Sequence, residues 1–167
     1  IPTEGKINLF NDQLLLSKRG DVSIVDALDL VLGNSDESRE SVWSLMGMTL
    51  GVARSFVDTD DELELNLKQL SAELMRTHYD RLGWTSKIGE DPNDSHLRVT
   101  AVAYMIAGRD RDAVSHALKL YTKNSNNLDR LPADLRSVIL SCAVRNSDEH
   151  DSVISNLLKQ YQTTASA

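Results

Sequence analysis

The chain has 167 residues, of which 41% are hydrophobic and 26% charged, with a formal net charge of -7. That length suits about one domain, on a prior of roughly 100–200 residues each, and suffices to bury a core. A pI near 5.0 leaves no excess of cations for a nucleic-acid backbone, so nucleic acid is not an expected partner.

The expected elements are all helical. Apolar residues recur from Lys6 to Lys18, and Gly20 stands where a left-handed cap would end a first helix. Ser23, with Asp26 three residues on, opens a second helix that ends at Gly33. A third helix is expected over about Glu37 to Val57 and a fourth over about Asp60 to Leu82, with acidic residues at its start and Gly83 at its end. Trp84 to Glu90 reads as a connector, after which Asp91 caps a helix with Pro92 in its first turn. Pro132 is expected to play the same first-turn part for a later helix.

The later helices carry an internal echo. Leu97, Arg98, Gly108 and Asp110 reappear as Leu135, Arg136, Asn146 and Asp148, and beyond the turn Val114, Ala117, Leu118 and Tyr121 match Ile154, Leu157, Leu158 and Tyr161, an apolar stripe at i, i+3, i+4 and i+7 whose other side is expected to face water. A unit of two helices and roughly 40 residues is of HEAT or armadillo length. Gly and Asn both tolerate a left-handed cap, so both units are expected to turn there. The fold class is therefore all-α: stacked antiparallel helical hairpins forming a HEAT/armadillo-like superhelix of about eight helices, with residues 1–167 as one domain.

Catalytic signatures are missing from the sequence. There is no H-E-x-x-H zinc motif, no glycine-rich phosphate loop and no G-x-S-x-G elbow. His78, His96, His116 and His150 are expected at helix ends or on solvent faces, and the lone Cys142, in an apolar run, as an inert buried thiol. No catalytic or metal-ligating residue is assigned, and no cofactor is expected in this chain. No run approaches the roughly 18 apolar residues of a membrane span, and the start has no leader-like pattern, so the expectation is a soluble, cytoplasmic protein without a membrane partner.

Arg98 and Arg136 have two readings. In one, each pairs with a nearby carboxylate, Asp94 or Asp134 being at hand, while its stem packs on the next hairpin. In the other, Arg98, Arg136 and Arg145 line a concave substrate cavity and meet an anionic group such as a peptide carboxylate. Trp43 and Trp84 are expected in packing rather than in a binding platform.

A wider pattern carries a family resemblance. Asn11-Asp12 and Leu14-Leu15 ahead of Lys18-Arg19-Gly20, then Val42-Trp43, Leu82-Gly83-Trp84, Gly89-Glu90-Asp91, Leu97-Arg98, Asp134-Leu135-Arg136 and Ala143-Val144-Arg145 resemble the C-terminal helical domain of aminopeptidase N-type zinc metallopeptidases. The similarity runs from about Asn8 to Tyr161. It implies the first half of that domain, cut from a larger polypeptide whose upstream catalytic domain holds the zinc. It further implies a helical domain that arches over the catalytic cleft, limits access to peptide substrates and contributes no catalytic residue. The competing expectation is a free-standing helical-repeat scaffold for a protein partner. In either case the last helix, with Val153, Ile154, Leu157, Leu158 and Tyr161, would leave a stripe uncovered and favour self-association of the isolated chain.

Overall fold

A computed structural model describes residues 1–165, with side chains through residue 162. Among the described residues there are eight α-helices, one 3-10 turn and no strand: α1 (Thr3–Arg19), α2 (Ile24–Leu32), α3 (Glu40–Arg54), α4 (Asp61–Leu82), α5 (Pro92–Ala107), α6 (Arg111–Asn124), the turn Leu128–Arg130, α7 (Arg136–Asn146) and α8 (His150–Ala165). The fold is all-α, as the helix punctuation predicts. The helices fall into two compact units, Ile1–Gly108 and a second that begins at Arg109.

Short polar side chains start the helices by satisfying N–H groups that lack an intrahelical acceptor. Ser23 accepts from the Val25 N–H at 3.1 Å, Asp60 from both Glu62 and Leu63 at 3.0 Å, and Asp91 from Asn93 at 2.9 Å ahead of Pro92. Gly20 ends α1 in the left-handed region, at φ 79°.

The two turns of the echo form differently from that expectation. Gly108 has φ -75°, and the positive φ falls on Arg109, at 60°. Glycine is required at 108 by proximity instead. A Cβ there would lie 2.6 Å from the Ala72 Cβ and 3.1 Å from the Lys68 carbonyl oxygen, so its absence lets the end of α5 close on α4. Asn146 remains helical, and its Nδ2 donates to the Cys142 carbonyl at 3.0 Å, satisfying a late backbone acceptor without a left-handed residue. Asn34 and Asn124 bond back in the same way, to Leu30 and Leu120. Pro132 also departs from expectation: it lies in the turn before α7, where the Asp134 carboxylate accepts from the Leu135 N–H at 3.0 Å.

In the first unit α3 is central, packing on α1, α2, α4 and α5. Its buried side chains Val42, Trp43, Met46 and Leu50 meet Phe10 of α1, Val31 of α2, Met75 and Leu82 of α4 and Leu97 and Ala101 of α5. Each fully buried large side chain of this set contributes about 1.5–3 kcal/mol by leaving water. The second unit packs α7 between α6 and α8, burying Ala117, Tyr121, Leu135, Ile139, Cys142 and Val153. Asn156 on α8 ties back to the end of α6, donating to the Ser125 carbonyl at 2.9 Å and to the Tyr121 hydroxyl at 3.2 Å. Of the stripe expected to lie uncovered, Val153 is buried against α7 and Leu157 half-buried, because they face the hairpin partner, while Ile154, Leu158 and Tyr161 stay exposed.

Candidate functional site

The three arginines singled out by the sequence occupy different environments. Arg98, in α5, is wholly enclosed. Its Nε donates to the Leu82 carbonyl at 3.3 Å, which closes the end of α4, and its Nη2 pairs with Glu90 in the connector. Glu90 also accepts from the Ser95 hydroxyl at 3.0 Å. The partner is thus Glu90 rather than Asp94, because Asp94 is engaged two-handed by Arg81, at 2.8 and 2.9 Å. The Arg98 cation holds the Glu90 carboxyl below its ordinary range, and Arg81 does the same for Asp94.

Arg136 opens α7 and bonds Asp129, not Asp134: Nη2 donates to the Asp129 carbonyl at 3.2 Å and Nη1 lies 3.3 Å from its carboxylate. Asp134 is occupied by the backbone N–H of Leu135. Arg145 is exposed at the other end of α7 and borders a hollow of about 340 Å³ with Leu140, Val144 and Leu157. Arg136 and Arg145 are about two and a half turns apart, which sets them at opposite ends and on opposite faces of α7. That helix does not bring the two guanidinium groups together.

A polar knot sits beneath α3. Glu37 is buried; its carboxylate accepts from Lys6 Nζ at 2.6 Å and from the N–H groups of Ser38 and Arg39 at 2.8 Å, starting α3. Its carbonyl accepts from Trp43 Nε1 at 2.5 Å. Burial pushes the Glu37 carboxyl up, but Lys6 and the two N–H groups outweigh it and hold it below its ordinary value. His78, expected near solvent, is instead buried edge-on to Trp43, with ring centroids 5.7 Å apart. The apolar period of α4 carries it inward with Met75 and Leu82.

Burial pushes the His78 imidazole down, Arg81 adds to this, and the Glu37 carbonyl, Asp94 and the Glu37 carboxylate oppose it, leaving the pKa below 6.5. The unfolded chain therefore takes up this proton first as pH falls. The contribution of His78 is full above 6.5 and is lost as pH drops from there toward the folded value. The carboxylates Glu37, Glu64, Glu90 and Asp94, all held low, lose theirs further down, below their ordinary 4.5 and 3.8. The melting temperature is expected to fall in two stages on acidification, and His78→Phe to flatten the first alone. A single stage, or a first stage unchanged in the variant, would refute this role for His78.

Burial also raises the Cys142 thiol, which keeps it protonated and unreactive at neutral pH. Among the described residues no three His, Cys, Asp or Glu side chains are grouped as a metal ion would need. No described helix is long and apolar enough to cross a membrane.

One feature escaped the sequence reading. Along α6, Arg111, Val114, Leu118, Lys119 and Lys123 share a face that, with Arg109 and Asn146, borders an open groove of about 700 Å³. The expected apolar stripe included Val114 and Leu118 with Ala117 and Tyr121. In the fold Ala113, Ala117 and Tyr121 are buried, and Val114 and Leu118 stand half-open beside the cations. The spacing of cations at 111, 119 and 123 was the available signal.

A family model described as the ERAP1-like C-terminal domain matches residues 1–167. The chain is similar to an aminopeptidase N of Lactobacillus helveticus, 29% identical over 160 residues, covering 96% of this chain and 19% of that protein. It is similar to an aminopeptidase N of Lactococcus lactis subsp. cremoris, 26% identical over 159 residues, 95% of this chain and 18% of the other. The yeast protein named aminopeptidase 2, mitochondrial, from Saccharomyces cerevisiae, is 28% identical over 151 residues, 87% of this chain and 15% of its own. The chain thus spans less than a fifth of the length of these relatives.

Proposed function

The chain belongs to the ERAP1-like C-terminal domain family, and on that premise we propose that it is a non-catalytic C-terminal domain of a zinc aminopeptidase that removes N-terminal residues from peptides. Its work there is to cover the catalytic cleft and control substrate access. The observation that carries this reading is the family match over the whole chain, supported by relatives named aminopeptidase N. Its partners are an upstream catalytic domain of the same polypeptide, which supplies the zinc, and the peptide substrate. A cytoplasmic setting, one domain over residues 1–167 and a stacked-hairpin superhelix belong to the same proposal.

The arginines then divide by accessibility. Arg145, exposed, and Arg136, half-buried, are the two able to meet a peptide carboxylate; Arg98, wholly enclosed and paired with Glu90, acts on such a cavity by fixing the connector. The uncovered stripe on α8 favours self-association of the isolated chain.

Two measurements test the reading. The purified 167-residue chain is expected to release no product from aminoacyl reporter substrates, and turnover by the pure chain would overturn its non-catalytic role. An antibody raised against it is expected to detect, in source cells, a protein several times heavier than 18.5 kDa. A native species near that mass would favour the free-standing scaffold instead.

A further inference from the structure

The α6 groove has the composition of a recognition surface. The cations Arg109, Arg111, Lys119 and Lys123 stand exposed along it, and among the described residues none of the four has a carboxylate partner. Among the described residues no acidic side chain lines the groove. Asp110, next to Arg109, caps α6 by accepting from the Ala113 N–H at 2.9 Å. Between the cations Val114 and Leu118 form an apolar floor.

This concentration of positive charge runs against a chain whose net charge is -7. Cations gathered in one groove of a net-negative chain favour an anionic polypeptide there over the rest of the surface. From Arg111 to Lys123 the face is about 18 Å long, which an extended segment of about six residues spans. Inorganic phosphate or a nucleic-acid backbone would use the cations and leave the apolar floor wet.

We propose that the α6 groove docks an acidic segment of a partner protein, with side-chain carboxylates on Arg109, Arg111, Lys119 and Lys123 and an aliphatic side chain between them on Val114 and Leu118. The partner is recognised by internal carboxylates, so neither terminus of the segment is required. The surface lies within the second unit and does not depend on the peptidase reading.

The test is fluorescence anisotropy of the 167-residue chain with a labelled peptide of about six residues, acetylated and amidated, in which glutamates flank a central leucine. Binding is expected, with a loss of at least about tenfold when salt rises severalfold, since exposed charges are screened beyond a Debye length of about 8–10 Å. The counterpart with lysine for every glutamate is expected not to bind. The double variant Lys119→Glu, Lys123→Glu should weaken binding at least about tenfold and Leu118→Ser severalfold, while Lys87→Glu in the other unit leaves it unchanged. Circular dichroism confirms that each variant folds, and the salt and lysine-peptide arms need no variant at all. Absence of binding, equal binding of the lysine peptide, or insensitivity to the α6 double variant would overturn the proposal. So would a requirement for a free C-terminal carboxylate, or heparin or single-stranded DNA binding as tightly as the peptide regardless of Leu118.

Discussion

An Arg98→Met chain is expected to unfold at markedly lower urea concentration, because the enclosed guanidinium is the partner of Glu90. Methionine fills much of the volume of the arginine stem, so the loss reports charge and hydrogen bonding more than a cavity. Arg98 is wholly enclosed and the Glu90 side chain only 8% exposed. Removing the guanidinium leaves Glu90 a near-buried anion with Ser95 as its remaining side-chain donor, and strips the Leu82 carbonyl of its Nε donor. Breaking a buried pair from one side is costly because the other charge remains, whereas replacing both members is often close to neutral. The double variant Arg98→Met, Glu90→Gln should therefore recover a large part of the loss. Equal stability of the single and double variants would show that the pair is not coupled.

The same variant has a local signature. Arg98 joins the end of α4 to Glu90 across the connector, whose other end is held by Trp84 Nε1 donating to the Tyr79 hydroxyl at 2.9 Å. Lys87 lies exposed between these anchors. Trypsin is expected to cut at Lys87 faster in Arg98→Met than in the parent chain under native conditions, because local opening becomes easier. An unchanged rate at Lys87 beside a lowered global stability would mean that Arg98 supports the core and not the connector.

Much of this fold is written in local chemistry. Ser23, Asp60 and Asp91 each cap the helix they announce, and Gly20 takes the left-handed turn expected of it. These depend on a few neighbouring residues, so the chain itself carries the signal. What the letters hide is which distant group arrives. Gly108 and Asn146 occupy equivalent places in the echo, yet one is small because Ala72 and Lys68 approach and the other bonds back to Cys142. Arg98 and Arg136 are equivalent too, and tertiary contact encloses the first with Glu90 while the second rests on Asp129 in a surface turn. His78 has the letter of a solvent residue, and it is buried because it shares the inward face of α4 with Met75. The α6 groove was hidden for the opposite reason: Val114 and Leu118 carry the letters of a core stripe, and only the burial of Ala113, Ala117 and Tyr121 shows that the core lies one step round the helix.

Trp43→Ala is expected to cost about 3–5 kcal/mol, the range for removing a large buried aromatic side chain. Trp43 is fully enclosed in the cluster that joins α3 to α1, α2, α4 and α5, so the vacated space has no flexible surface element to collapse into it. The indole also makes two directed contacts, Nε1 to the Glu37 carbonyl and its ring against the edge of His78. Trp43→Phe separates these effects. It keeps most of the ring volume and loses only the N–H donor to the Glu37 carbonyl. A loss well below that of alanine is therefore expected. If phenylalanine costs as much as alanine, the hydrogen bond and not the packing holds this part of the core. In a Trp84→Phe background, where Trp43 is the remaining indole, emission should be blue-shifted in the native chain and move red in one transition with the loss of helix. A red native emission would place Trp43 in water and refute the central position of α3 in the core.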